Sequence, residues 1–547
     1  MTRTAPVDTA PVDTAHLDTF ARDNLPPRKD WPELIFELPE LKYPARMNCA
    51  VELLDGALLR GWRDRVAIRA PDGQCTYGQL LAQANRIARV LVEDMGLQPG
   101  NRVLLRGPNN PMMAACWFGV FKAGGVVVGT MPLLRAKELT EIVAKARITH
   151  VLCDKRLDAE LKAALPDCPS LREIKYWYDD DAASLDACCA TKPGSFANVD
   201  TSAEDPALIA FTSGTTGTPK GTVHFHRDVI AMCDLFPRSC LKPVKADVFC
   251  GTPPLAFTFG LGGLLCFPLR YGASTVLLER LSPEGLLEAI QKYRASVCFT
   301  APTFYRQMAQ VAKNHTISSL RKCVSAGEAL PDATRQLFRN ATGIEIIDGI
   351  GATEMIHIFI SHTPDTVRRG ATGYAIPGYK ARVIDEKGRP CLPGVVGRLA
   401  VKGPTGCRYL ADPRQKVYVQ KGWNVTGDAY AMDEDGYFYY QARTDDMIVS
   451  AGYNIAGPEV EGALLTHESV AECGVVGVPD QERGQLVKAY IVLKPGFQKN
   501  DAVARMLQDH VKAAVAPYKY PRAIEFVDGL PRTETGKLQR FRLRTKP

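Results

Sequence analysis

A chain of 547 residues exceeds what one hydrophobic core can serve, so a large, subdivided unit and a smaller one are expected. Hydrophobic residues at 46% and charged ones at 23% exclude a fibrous or wholly disordered chain. A net charge of +7 with interleaved signs argues against nucleic acid as a partner, because such binders concentrate their positive charge.

The chain opens with a direct repeat of Thr-Ala-Pro-Val-Asp that lacks an apolar segment, which predicts a flexible tail over 1–20 and no secretory leader. From there apolar, β-rich runs alternate with helical patterns. Residues 102–105 read as a strand, 111–123 as a helix, 125–130 and 148–153 as strands. Residues 274–278 and 296–300 read as strands on either side of a helix at 283–293. Strands separated by helices predict an α/β unit of parallel sheets flanked by helices. After Gly373 short strands at 380–385, 397–401 and 436–440 are punctuated by turns such as Asp435-Gly436, predicting a small β subdomain. A further change after Arg443 predicts a small α+β domain, with helices at 458–466 and 502–514 and strands at 470–478 and 489–493. The domains are therefore 21–442 and 443–547.

Sixteen cysteines show no Cys-x-x-Cys pair, and Cys188 adjoins Cys189; free thiols in a reducing, cytoplasmic compartment fit this pattern. The longest apolar run, 116–131, is broken by Lys122 and several glycines, so no membrane partner is expected. Lys519, Arg522, Arg532, Lys537, Arg540, Arg542, Arg544 and Lys546 form the one local basic excess, open to reading as a solvated tail or as an attractor of polyanions. Monomer and homodimer both remain open.

The densest chemical signal is Phe211-Thr212-Ser213-Gly214-Thr215-Thr216-Gly217-Thr218-Pro219-Lys220-Gly221, entered from an apolar strand. Its N–H and O–H groups can wrap phosphate oxygens while Lys220 adds charge. It is not a Walker A loop, since Pro219 precedes the lysine and Gly221 follows it. This segment resembles the phosphate loop of the adenylate-forming superfamily, which includes acyl- and aryl-CoA synthetases, and further motifs in that family's order run from about Thr76 to Arg540.

Asp348-Gly349-Ile350-Gly351-Ala352-Thr353-Glu354 is similar to the family's Tyr-Gly-x-Thr-Glu segment, with Ile350 where a tyrosine usually packs on adenine. The resemblance assigns Thr353 to phosphate and Glu354 to Mg²⁺, in keeping with a hard cation's preference for carboxylate oxygen. Glu328, in Ser325-Ala326-Gly327-Glu328, would border the adenine. Asp428 of Thr426-Gly427-Asp428 would hold the ribose, and Arg443 the ribose or phosphates. Asp445 would be the inter-domain hinge, and Gly452 and Tyr453 would line the coenzyme A channel after domain rotation. Lys537, within Pro531-Arg532-Thr533-Glu534-Thr535-Gly536-Lys537, would bridge the attacking carboxylate and the α-phosphate.

The family's acyl pocket maps onto Phe257, Thr258, Ala301, Thr303, Ala326, Gly327, Gly351 and His357. Such aromatic and small residues suit a flat ring. Phe257 is equally readable as core, and His357 as a satisfied structural histidine. The 348–359 run resembles benzoate-type CoA ligases, and the 254–263 stretch leans toward 2-aminobenzoate activators, with Thr258, Thr303 and His357 as polar candidates for the amine. The resemblance thus implies an acid–thiol ligase using ATP, Mg²⁺ and coenzyme A on a small aromatic acid. Because Lys537 lies close to the last residue, coenzyme A is expected rather than a fused carrier. Loading of a separate carrier protein, and a non-catalytic nucleotide-binding homologue, are the competing readings.

Overall fold

The computed structural model describes residues 13–212, 219–451, 453–532 and 538–544. Two mainly parallel sheets build the large unit. One is six-stranded, in the order Glu173–Trp177, His150–Asp154, Arg102–Arg106, Val126–Thr130, Pro206–Thr212, Lys220–Phe225. Only its last pair is antiparallel. Every residue of Arg102–Arg106 is buried, as expected of a parallel strand covered on both faces. Helices start where the sequence caps them: Thr76 and Gln79 form a reciprocal capping box before Tyr77–Arg89, and Asn110 with Pro111 opens Pro111–Lys122.

The second sheet has nine strands, with Ile346–Gly351, Lys322–Ser325, Val297–Thr300, Val248–Gly251, Ser274–Val276 and Val66–Ala70 side by side and parallel. Antiparallel strands finish both edges. The expected β subdomain is a five-stranded antiparallel sheet containing Lys380–Ile384, Gly397–Lys402, Trp423–Met432 and Phe438–Arg443. The C-terminal unit folds around its own core of Ile448, Val460, Leu464, Val475, Val487, Ile491, Leu507 and Val511. The long hairpin Val470–Asp480 and Gly484–Leu493 carries Gly457–Leu464 and Asp501–Ala514 on it. All sixteen cysteines are unpaired. Among the described residues no helix is long and apolar enough to cross a membrane.

The expectation of a flexible tail over 1–20 needs correction for its described part, residues 13–20. Ala15 N–H donates to Asp205 at 3.0 Å, Leu17 and Asp18 donate to the Pro99 carbonyl at 3.0 Å, and Asp18 pairs with Arg102 at 2.6 Å. His16 is 4% exposed. The polarity of this stretch suggested solvent, but Thr14, Ala15, Leu17 and Asp18 find partners on the large unit.

Candidate active site

In a parallel sheet the C-terminal strand ends share one edge, which is where such folds place ligands. Here the register sets Thr300 beside Ser325 and Ser325 beside Asp348. Ala301, Ala326, Gly327, Glu328, Gly349, Ile350 and Gly351 therefore gather at one rim. Gly327 takes a φ of 91°, and at Gly351 a Cβ would lie 2.9 Å from the His357 backbone, so neither position accommodates a side chain without strain. Asp348 is buried at this rim and burial pushes its carboxyl up to about 7, against the opposing pull of Arg335. Its Oδ1 has no hydrogen-bond partner among the described residues.

The strand Ile346–Gly351 leads into a single helical turn, Thr353–Met355. That turn ends at Ile356 with a φ of 65°, an outlier for a β-branched residue that its surroundings must hold in place. Three side chains grip it. Thr405 Oγ1 donates to the Met355 carbonyl at 2.8 Å, His224 Nε2 lies 2.7 Å from the Thr353 carbonyl, and the Tyr409 hydroxyl donates to Glu354 Oε1. Burial and the Glu354 charge raise the Tyr409 phenol, which keeps its proton for that bond. Lys220 Nζ lies 5.5 Å from the Tyr409 ring centroid. Thr212, paired with Lys220 across the hairpin, closes the other side; Ser213, Gly214, Thr215, Thr216 and Gly217 lie outside the described residues.

Glu354 is 8% exposed. Among the described residues no group of three or more His, Cys, Asp or Glu side chains could hold a metal. Magnesium does not require one, since it retains waters and takes phosphate oxygens alongside one carboxylate. The residues present fit it.

Asp428 follows Gly427, whose φ of 78° makes the bend expected there, and faces Arg443 on the neighbouring strand at 3.3 Å. Burial raises the Asp428 carboxyl, Arg443 opposes this, and the Glu354 charge adds to it. The two carboxylates thus share one electrostatic environment. Asp445 sits in the short turn Thr444–Asp446, 54% exposed and 3.8 Å from Arg443 Nε.

The acyl candidates divide. Thr258 is buried and Phe257 half-buried at the start of a helical segment. Thr303 donates to Glu328 at 2.9 Å, so its hydroxyl is already engaged. His357 packs among Phe236, Phe259 and Phe267, with ring centroids 5.9, 5.7 and 4.6 Å away. Burial drives its imidazole down to about 3, with the Phe259 backbone opposing. Among the described residues neither ring nitrogen has a partner at hydrogen-bonding geometry.

The C-terminal unit docks over this rim. Arg532 lies 3.5 Å from Glu328, 3.4 Å from Thr303 Oγ1 and 2.8 Å from Glu472. Arg532 also bridges to Leu538, and Gln539 N–H donates to the Pro531 carbonyl at 2.8 Å. These contacts join the residues on either side of 533–537, which, with Lys537 among them, lie outside the described residues. Gly452 also lies outside them, and Tyr453 is not brought to the rim: it stacks on Tyr518 of its own unit at 4.5 Å.

Sequence reasoning missed Tyr409, His224 and Arg306, and named Arg532 only within the basic excess and the terminal motif. Only His224 left a signal: Lys220, Thr222 and His224 alternate along one strand and so share a face. Arg306 reaches the C-terminal unit through the Leu465, Val470 and Ala471 carbonyls at 3.3 to 3.5 Å, a contact between distant segments.

Two family models match, the AMP-binding enzyme over residues 57–409 and the AMP-binding enzyme C-terminal domain over 459–537. Among curated relatives, benzoate–CoA ligase of Thauera aromatica is 36% identical over 93% of this chain and 97% of its own length. The 4-hydroxybenzoate–CoA/benzoate–CoA ligase of Rhodopseudomonas palustris is 32% identical, covering 91% of this chain and 94% of its own. Among solved structures, the anthranilate CoA ligase AuaEII in complex with anthranoyl-AMP superposes with a TM-score of 0.88 at 33% identity, over 93% of this chain and 98% of that one. With both models matched in order, and relatives this similar aligned over nearly their whole length, the chain belongs to the AMP-binding enzyme family.

Proposed function

We propose that this enzyme activates a small aromatic carboxylic acid with ATP to an acyl-adenylate and then transfers the acyl group to coenzyme A. Products are the aryl-CoA thioester, AMP and pyrophosphate. The carrying observation is that the Thr353–Glu354 turn is held against the Lys220–Phe225 strand by His224 and capped by Tyr409, while Arg532, five residues before Lys537, docks at the adjoining rim through Glu328 and Thr303.

The substrate carboxylate attacks the α-phosphorus and pyrophosphate departs. Asp428 accepts the ribose hydroxyls and Arg443 orients them, while Thr353 and the 212–220 hairpin hold phosphate oxygens. Magnesium bound through Glu354 would neutralise charge on those oxygens. Lys537 bridges the attacking carboxylate and the α-phosphate, where negative charge builds up. The thiolate of coenzyme A then attacks the adenylate's carbonyl and AMP leaves. The C-terminal domain swings about Asp445 between these steps and carries Gly452 and Tyr453 to the thiol channel.

Within aromatic acids, 2-aminobenzoate is favoured and benzoate is the second reading. Thr303 is engaged with Glu328, which leaves Thr258 and the unpartnered nitrogens of His357 to meet an ortho amine. The structural likeness to an enzyme holding anthranoyl-AMP supports the first reading, and the identity to benzoate ligases supports the second. Unpaired cysteines fit the cytoplasm.

The test is coenzyme-A-dependent AMP release over benzoate, its aminated and hydroxylated forms, phenylacetate and a medium-chain fatty acid. Highest kcat/KM for 2-aminobenzoate is expected. Release of ADP and orthophosphate would overturn the reading, and pyrophosphate release indifferent to coenzyme A would favour carrier loading.

A further inference from the structure

A chain of buried polar groups lies directly behind the Thr353–Glu354 turn and is used by no step above. Arg408, Asp228 and His224 are all fully buried. Arg408 pairs with Asp228 Oδ2, and the same oxygen accepts from the Phe225 N–H at 3.0 Å and faces His224 Nδ1 at 3.6 Å. His224 Nε2 then reaches the Thr353 carbonyl at 2.7 Å. That carbonyl also receives the Ile356 N–H at 3.1 Å, the bond that closes the strained turn.

We propose that His224 is a positioning residue that ties the hairpin of Pro206–Thr212 and Lys220–Phe225 to the Thr353–Glu354 turn, so that Thr353 and Glu354 are set in register with Thr212 and Lys220. Two facts carry this. His224 stands on the strand Lys220–Phe225, which pairs with Pro206–Thr212, and its ring spans to a turn 129 residues later in sequence. The turn it grips holds a β-branched residue at positive φ, a conformation that persists only where neighbours over-determine it. The Asp228 carboxylate, already matched to Arg408, stands 3.6 Å from His224 Nδ1, beyond hydrogen-bond distance, so the grip on Thr353 is made by Nε2 alone. Displacement of the Thr353 carbonyl would move Glu354 with it, since the two are consecutive.

The proposal rests on the assignment of Thr353 and Glu354 to phosphate and magnesium, and its test separates the two. The substitutions His224→Gln (H224Q) and His224→Asn (H224N) differ by one methylene. Glutamine places an N–H donor near the position of Nε2, whereas asparagine reaches only as far as Nδ1 and leaves the Thr353 carbonyl without its side-chain donor. Hydrogen exchange of the full-length protein, read by mass spectrometry over the peptide containing Thr353 to Ile356, reports the clamp without any need for activity. Exchange in that peptide is expected to rise about tenfold in H224N and to stay within about threefold of wild type in H224Q. In aryl-acid-dependent ATP–pyrophosphate exchange, H224N should need about tenfold more Mg²⁺ for half-maximal rate while KM for the acid stays within about twofold. H224Q should restore the Mg²⁺ requirement. Indistinguishable variants, an unchanged turn in H224N, or loss of protection across the whole domain in both would overturn the proposal. Absence of pyrophosphate exchange in the wild type would instead overturn the functional reading, with the hydrogen-exchange arm still deciding the clamp.

Discussion

Asp348→Asn exchanges a buried carboxyl for a neutral group of the same shape. Burial lifts the native carboxyl from its ordinary 3.8 to about 7, a displacement of about three pH units worth about 4 kcal/mol. Because the folded protein prefers the protonated acid, the contribution is fully present below the unfolded value of 3.8. It declines as pH rises through the folded value of about 7. The asparagine does not titrate, so its stability relative to wild type should rise by about 2–3 kcal/mol between pH 5 and pH 8.5. Any fixed penalty from the amide's unpaired hydrogens, about 1–3 kcal/mol, enters equally at both pH values and cancels. The buried histidines His16, His226 and His362, all driven down by burial, act in the opposite direction, but they are common to both proteins and cancel as well. Urea unfolding of each protein at pH 5 and 8.5, followed by tryptophan fluorescence, supplies the four free energies. A variant-minus-wild-type difference that is the same at both pH values within about 0.5 kcal/mol would refute the reasoning, because a carboxyl that ionises freely in the fold has no such dependence.

Lys537→Ala should lower adenylate formation by at least about a hundredfold while sparing thioester formation from supplied acyl-AMP; equal loss of both half-reactions counts against the assigned role. Asp445→Pro should do the reverse, with adenylate accumulating in a rapid-quench experiment and being consumed slowly by coenzyme A. Arg306 meets three backbone carbonyls of the C-terminal unit, so Arg306→Gln should weaken docking and slow adenylate formation by about three- to tenfold without slowing the coenzyme A step. His357→Leu removes two unpartnered nitrogens from an aromatic cluster, so stability should hold within about 1 kcal/mol. In that variant kcat/KM for 2-aminobenzoate should fall relative to benzoate; an unchanged ratio would assign His357 to packing alone.

Much of this molecule was legible before folding was considered. Alternating runs of strand and helix up to about 300 gave elements that lie within a few residues of those observed, because a buried parallel strand must be apolar along its whole length and its covering helix on one stripe. Gly427 announced the bend before Asp428. These features are local, or repeat with a fixed period, so residue order alone carries them.

What the order of residues could not carry is the set of contacts between segments that only packing brings together. Thr14 to Asp18 read as tail because their polarity is visible in sequence while their partners at Pro99, Arg102 and Asp205 are not. Tyr409 on Glu354, His224 on Thr353, and Arg306 and Arg532 across the two units join residues 55 to 229 positions apart. The chemistry of the motifs was therefore written in the sequence. The aim of those motifs was decided by the tertiary structure, since a side chain's direction depends on groups the local chain does not contain.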